Sequence, residues 1–401
     1  MAIFSLVDAL LIRPFPLAQP DRLAAVWEDA SRIGFPRDTP APANFADWKA
    51  RNHVFTGLAA LRGDIYAITG DGAPEEVYGS PITANLLPLL GVSPVLGRNF
   101  SADEDRPGGG QVTLISYRLW QQRYAADRAV VGRDMLLDGA KFRIVGVMPA
   151  GFQFPERDDV WIPLALSPAA LAQRDSHYLR VFGRLRPGVT IADAQRDMSA
   201  VAAQLAREHP DTNTNLGATV VGLRDQALGK LDLGLRVLAA GVAFVLMICC
   251  ANIAGLMLAR AAGRGREFAV RAALGASRWR LVRLGLTESL LIAAGGTLAG
   301  LFFASEIVPW LGQLVPQSIA GWAQPRIDNG LLAFASLLAL GAAAAFGSLP
   351  ALAMTHGDLA GAMQQGGRAA IAGIGRLRRA LVVAEVALTV VLSVGAGLML
   401  R

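Results

Sequence analysis

Four aliphatic stretches constrain this chain more than any other feature: Leu235 to Leu258, about Leu284 to Ser305, Gly330 to Ala353, and Leu381 to Leu400. Each approaches the roughly 20 residues that cross a ~30 Å hydrocarbon layer. Between the first two, residues 259 to 289 read ARAAGRGREFAVRAALGASRWRLVRLGLTES, a density of guanidinium groups that lipid does not accommodate cheaply. With 53% hydrophobic and only 17% charged residues, the chain falls outside the usual composition of a soluble protein and reads as a membrane protein.

Charge asymmetry sets the orientation, because short loops rich in Lys and Arg face the cytoplasm. Residues 259 to 283 carry Arg260, Arg264, Arg266, Arg271, Arg278, Arg280 and Arg283 against Glu267 alone. Residues 306 to 329 carry only Arg326 against Glu306 and Asp328, whereas 354 to 380 carry Arg368, Arg376, Arg378 and Arg379 against Asp358. Inside, outside, inside is self-consistent and places residues 13 to 231 outside the cytoplasm. That outer segment is balanced, with 24 basic and 24 acidic residues, so the net charge of +6 belongs to the membrane half. An anionic inner leaflet accounts for such an excess, and nucleic acid is not implied.

The opening MAIFSLVDALLI is apolar but too short to cross, and it lacks a signal peptide's basic start and cleavage site. It reads as the outer half of a transmembrane helix, with an interfacial or disordered N-terminus as the alternative.

The outer segment alternates strand and helix signals. Asp138 and Gly139 separate two apolar-rich runs, as a type I′ hairpin turn requires. VTLI at 112 to 115 reads as a strand, with Ser116 capping a short helix. A longer helix starts at Thr190, with Asp193 completing an imperfect capping box and Ile191, Ala194, Met198, Val201, Ala202 and Leu205 on one face, and ends at Pro210. LRVFGRLRP at 179 to 187 alternates as a strand. The fold class is therefore an α+β extracytoplasmic domain followed by an α-helical transmembrane bundle. It holds no cysteine; Cys249 and Cys250 lie in the first complete span and suit apolar packing.

Signals for chemistry are sparse. His53, His177, His209 and His356 have no metal-ligand spacing, the nucleophile-elbow pattern is absent, and Gly229-Lys230 lacks the upstream glycine of a phosphate loop. No catalytic residue, cofactor or metal site is expected. Gly108 to Gly110, following Ser-Ala-Asp-Glu-Asp, reads as a flexible acidic turn in preference to a calcium loop or an anion nest, since the spacing fails the EF-hand pattern. Glu288 and Glu385 lie near membrane boundaries, where a carboxylate must pair with arginine, reach water or relay protons. Gly296 and Gly300 form a GxxxG that suits close helix packing, between copies or within one.

REFAVRAALGA holds good helix formers up to Gly275, and Ser277 caps a second piece that enters the membrane. Glu267, Val270, Arg271 and Leu274 share one side of the first piece; Phe268, Ala272, Gly275 and Trp279 lie towards another. Such a cytoplasmic amphipathic helix receives a partner protein or rests on anionic lipid.

REFAVRAALGASRWRLVRLGLTESLL resembles the signature of the FtsX-like permease domain found in MacB-type ABC transporter permeases. PITANLLPLLGVSPVLGRNFSADED, LISYRLWQQRYAADRAVVGRDMLLDGAKFRIVGVMPAGFQFP and GVTIADAQRDMSAVAAQLAREHPDTN are similar to the MacB-like periplasmic core domain. The resemblance implies a partial first transmembrane helix at 1–12, a periplasmic core domain at 13–231, a permease domain with three transmembrane helices at 232–353, and a cytoplasmic linker at 354–380. Residues 381–401 look like the first transmembrane helix of a second half, as in duplicated permeases, and Met1 falls where the middle of the usual first span would be.

What the resemblance further implies is a non-catalytic permease of the bacterial inner membrane, coupling hydrolysis by a separate cytoplasmic ABC ATPase to periplasmic movement and efflux. Dimerisation, or pairing with a second permease half, is implied as well. Glu267, Phe268, Val270, Arg271, Leu274, Gly275 and Ala276 match the coupling segment that contacts the ATPase. The alternative is an FtsX-like signalling subunit that activates a periplasmic partner such as a cell-wall hydrolase.

Overall fold

The computed structural model describes residues 17–70, 73–229, 231–263, 278–314 and 327–355, and further on 382–383, 385–391 and 393. The described residues up to 229 form one compact unit and those from 231 onward a second. The expected segment 1–12, the whole of 264–277 and nearly all of the 354–380 linker lie outside the described residues.

The first unit is a mixed α/β head built on twelve strands: β1 (Leu23–Ala30), β2 (Phe35–Asp38), β3 (Phe55–Leu61), β4 (Asp64–Thr69), β5 (Glu75–Ile82), β6 (Leu96–Gly97), β7 (Val112–Ile115), β8 (Asp134–Leu137), β9 (Ala140–Val147), β10 (Val160–Pro163), β11 (Arg180–Leu185) and β12 (Gly217–Gly222). Its longer helices are α1 (Pro42–Arg51), α2 (Tyr117–Tyr124) and α3 (Ile191–Glu208). Most pairings are antiparallel, with β5–β10 and β7–β9 parallel.

Those pairings make two lobes that share β5. In one, the order β5-β10-β7-β9-β8-β4 returns to β5, so the strands close on themselves as a small barrel. Alternate residues fill its interior: Tyr66 and Ile68 from β4, Met135 and Leu137 from β8, Ile144 from β9, and Val160 from β10. Closure depends on Gly79, which lies opposite both Asp64 and Val160. A Cβ there would stand 2.4 Å from Val160 Cγ2 and 2.8 Å from the Tyr66 ring.

The other lobe is an open sheet, β5-β3-β11-β1-β12. β11 keeps the alternation expected of LRVFGRLRP except at Phe182: Leu179, Val181, Gly183 and Leu185 are buried, and Arg180 and Arg184 are half-buried. Val181 and Leu185 pack with Phe45 and Trp48 of α1 and Met198 and Leu205 of α3, whereas Phe182 points into the opposite core with Phe154 and Trp161. Phe182 thus puts one apolar side chain on the face that Arg180 and Arg184 otherwise make polar.

Local chemistry matches the sequence elsewhere. Asp138 and Gly139 both have positive φ, 50° and 79°, between β8 and β9. Ser116 accepts from the Leu119 N–H, and Thr190 and Asp193 form the full reciprocal capping box. α3 stops at His209, and Pro210 opens a separate short helix, Pro210–Asn213.

The second unit consists of α4 (Leu231–Gly263), α5 (Arg278–Leu314) and α6 (Asn329–Thr355), followed by the helical residues near 382–393. Among the described residues two helices are long and apolar enough to cross a membrane, Arg236–Ile253 of α4 and Leu286–Trp310 of α5; the described apolar part of α6, Asn329–Ala344, is shorter. α6 packs on α5 and more lightly on α4. Small residues dominate the buried positions: Ala304, Ala335 and Ala343, beside Val308 and Leu331. Many of the described large aliphatic side chains are exposed, Leu256, Leu298 and Leu337 among them.

Candidate membrane coupling site

Helices with apolar side chains around the whole circumference and little cover need an apolar solvent. None of the Arg236–Ile253 window is buried, and Leu256 and Leu298 are 70% and 69% exposed. The hydroxyls within these helices turn back on the backbone: Thr287 Oγ1 donates to Arg283 O, Thr297 Oγ1 to Ala293 O and Thr389 Oγ1 to Glu385 O. That local bond satisfies a hydroxyl where water is excluded.

Of the sequence-derived site residues, Glu267, Phe268, Val270, Arg271, Leu274, Gly275 and Ala276 lie outside the described residues. Glu288 is half-buried on α5 beside buried Ser289. Glu385 accepts a hydrogen bond from Asn252 Nδ2 at 2.9 Å. The partner is thus an amide on α4, where an arginine or interfacial water was expected. Gly296 is exposed, and a Cβ added there would meet nothing within 4 Å; Gly300, one turn on, is half-buried. Cys249 is exposed on α4 and not packed in a core.

The head holds two polar clusters that no local motif announces. Glu28 of β1 is fully buried; its Oε1 accepts from the Ala41 N–H at 3.0 Å and from Asn44 Nδ2 at 2.7 Å, and its Oε2 lies 2.6 Å from His177 Nδ1. Burial raises the Glu28 carboxyl above its usual range, outweighing the opposing pull of Asn44, Ala41 and His177. Asn44 Oδ1 in turn accepts from Arg174 at 2.6 Å and from Asn213 Nδ2 at 2.9 Å, and Arg174 pairs with Asp47 at 2.6 Å. The network ties β1, α1, the segment before β11 and the Pro210–Asn213 helix together. Such buried groups specify one arrangement when every member is satisfied.

Asp158, just before β10, differs: burial pushes its carboxyl up to about 7. Ser80 of β5 is near enough to draw it down a little, yet neither Asp158 Oδ2 nor Ser80 Oγ makes a hydrogen bond of good geometry. Its neighbour Asp159 accepts from Ser116 Oγ at 2.5 Å and pairs with Arg118. The acidic turn before Gly108 is likewise committed: Asp105 accepts from the Ala84 and Ala165 N–H groups, and Glu104 pairs with Arg98 at 2.6 Å. Among the described residues no group of three or more His, Cys, Asp or Glu gathers to hold a metal.

A mixed α/β head continues in sequence into apolar helices with little cover, the make-up of a membrane protein with a folded domain outside the bilayer. Residues 1–201, just over half of the chain, match the MacB-like periplasmic core domain, and residues 239–358 match the FtsX-like permease C-terminal domain. The chain belongs to the MacB/FtsX-like family of ABC transporter permeases, which have a periplasmic domain and act with an ATPase.

Relatives include a macrolide export ATP-binding/permease protein, MacB, of Marinobacter nauticus, 24% identical over 370 residues that cover 88% of this chain and 51% of that protein. A pyoverdine export ATP-binding/permease protein, PvdT, of Pseudomonas aeruginosa is 27% identical over 234 residues, 55% of this chain and 34% of that one. The ABC transporter permease YknZ of Bacillus subtilis is 23% identical over 261 residues, 64% and 62% respectively. The chain thus spans about half or less of the export proteins it matches. Among solved structures, the periplasmic region of MacB from Actinobacillus actinomycetemcomitans aligns at 10% identity and a TM-score of 0.41, covering 58% of this chain and 98% of that one.

Proposed function

We propose that this chain is a non-catalytic permease subunit that couples ATP hydrolysis on a separate cytoplasmic ATPase to movement of its periplasmic head and export of a substrate. The observation that carries this reading is the succession, in one polypeptide, of a periplasmic-core match and a permease-domain match that spans the arginine-rich segment. No phosphate-cradling loop occurs in the 401 residues, which is why hydrolysis is assigned elsewhere. The named export activities of the MacB and PvdT relatives support efflux as the outcome of the stroke.

In this reading the head is outside the cytoplasm, and the seven-arginine segment stays at the inner surface. Glu267 and Arg271 then present opposite charges from one side of a short helix to the ATPase, with Phe268, Val270, Leu274, Gly275 and Ala276 supplying the apolar contact. A second permease half, whether another copy or a continuation of the chain, would approach along Gly296 and Gly300, where the small residue leaves space.

Charge reversal at both Glu267 and Arg271 is the direct test. It should abolish stimulation of the cognate ATPase and its co-purification with the permease; unchanged binding and stimulation would refute the assignment. Deletion of the gene should also raise retention of an exported compound. Normal export with loss of activity in a periplasmic hydrolase would instead support a signalling subunit.

A further inference from the structure

The C-terminal apolar helix is nearly featureless: residues 382 to 391 read VVAEVALTVV, and Val382, Val383, Val386, Val390 and Val391 are all exposed. Such a valine surface gives a neighbouring helix no preferred register, because sliding or rotating it exchanges one aliphatic contact for another. Two polar side chains break the monotony. Thr389 is already satisfied by the Glu385 carbonyl of its own helix. Glu385 instead reaches across 133 residues of sequence to Asn252 on α4, at 2.9 Å.

Asn252 is the next-to-last residue of the apolar window Arg236–Ile253, in an aliphatic stretch that runs on to Leu258, so the bond forms in apolar sequence close to a membrane boundary. In hydrocarbon an amide and a carboxyl each lack water, and leaving either without a partner is costly. Each therefore constrains where the other helix can sit. A hydrogen bond between helices is worth little beyond its alternatives in a membrane, but it selects one register and one rotation.

We propose that Asn252 and Glu385 form an intramembrane latch that fixes the C-terminal helix against α4, so that the two move as one. α4 follows the head directly in the chain through β12 and the short helix Leu223–Leu228. Displacement of α4 is thereby handed to the C-terminal helix through a single polar pair. Glu385 is a positioning residue in this scheme, and its role beyond the contact itself rests on the permease reading above.

The contact can be read independently of that function. In full-length protein in native membranes, with Cys249 and Cys250 replaced by serine and a protease site inserted near residue 366, N252C and E385C are treated with a short bis-thiol-reactive cross-linker. After proteolysis the fragments should stay joined, whereas N252C paired with V391C should let them separate. Separation of the N252C/E385C fragments, or cross-linking of two copies through N252C alone, would overturn the latch.

A second readout uses ATPase stimulation. Glu385→Leu and Asn252→Leu should each lower it by about threefold or more, the double variant should be no worse than either, and Glu385→Gln should retain it because the amide still accepts from Asn252. A loss in Glu385→Gln as large as in Glu385→Leu would refute the hydrogen-bond role. If the unsubstituted protein stimulates no ATPase while the cross-link forms, the permease reading fails and the contact stands.

Discussion

The head and the membrane helices draw on the same aliphatic residues and use them in opposite ways. In the head, Trp48, Leu58, Leu61 and Trp161 are at most 1% exposed, and three apolar clusters fill two lobes. In the helices, Leu256, Leu298 and Leu337 stand 69–70% exposed, and among the described residues half of the buried positions are alanines. Water drives the first arrangement by expelling apolar surface; the second depends on lipid as the solvent and on close backbone approach for contact. A large side chain is therefore a structural requirement in one region and largely a solvation choice in the other.

The largest effect should separate the regions outright. Trp161 packs against Phe152 and donates from Nε1 to Phe154 O at 2.9 Å, so Trp161→Ala should destabilise the head by about 3–5 kcal/mol. Leu298→Ala should change thermal unfolding by no more than about 0.5 kcal/mol. Comparable losses in calorimetry of the detergent-solubilised protein would erase the distinction.

Next in size is a pH effect confined to the head. The raised carboxyl of Asp158 means that the folded state keeps a proton that the unfolded chain releases above about pH 4. Its contribution is full below that value, falls as pH rises towards about 7, and is flat beyond. Asp158→Asn should remove this slope and stabilise the head at pH 8, by on the order of 2–4 kcal/mol. The raised carboxyl of Glu28 contributes a slope of the same sign that should persist. Chemical denaturation at pH 5 and pH 8 gives both values; an unchanged pH dependence in the variant would contradict the burial.

Smaller again is the cap of α3. Thr190→Ala should cost about 1 kcal/mol in the head by leaving the Asp193 N–H without its partner, measurable as a shift in the denaturation midpoint. Gly296→Ile should have the smallest effect on stability, since a Cβ there meets nothing within 4 Å. Size-exclusion of the same variant should show weakened self-association if a second permease half packs on that face.

The parts of this structure legible in the sequence are those decided by neighbours in the chain. Asp138-Gly139 fixes a turn because both positions need positive φ, and Thr190 with Asp193 fixes a helix start because the two side chains bond each other's backbone. The aliphatic runs revealed α4, α5 and α6 for the same reason.

What escaped was set at long range. Nothing near Gly79 indicates that Val160 will close a barrel against it, and the bonds from Glu28 to His177 and from Asn252 to Glu385 join residues 149 and 133 positions apart. The burial of Phe182 on the otherwise polar face of β11 is likewise set by distant partners, Phe154 and Trp161. A carboxylate in an apolar helix is costly, which marks Glu385 in the sequence without naming its partner.

Coupling of this kind requires the head and the arginine-rich segment to lie on opposite sides of the membrane. Cysteines introduced one at a time at Arg106, exposed on the head, and at Gly265, with Cys249 and Cys250 replaced by serine, can be treated with a membrane-impermeant maleimide in spheroplasts. The cysteine at 106 should label at once, and the one at 265 only after the membrane is permeabilised. Protection at 106, or labelling at 265 in sealed spheroplasts, would contradict the orientation on which the coupling scheme depends.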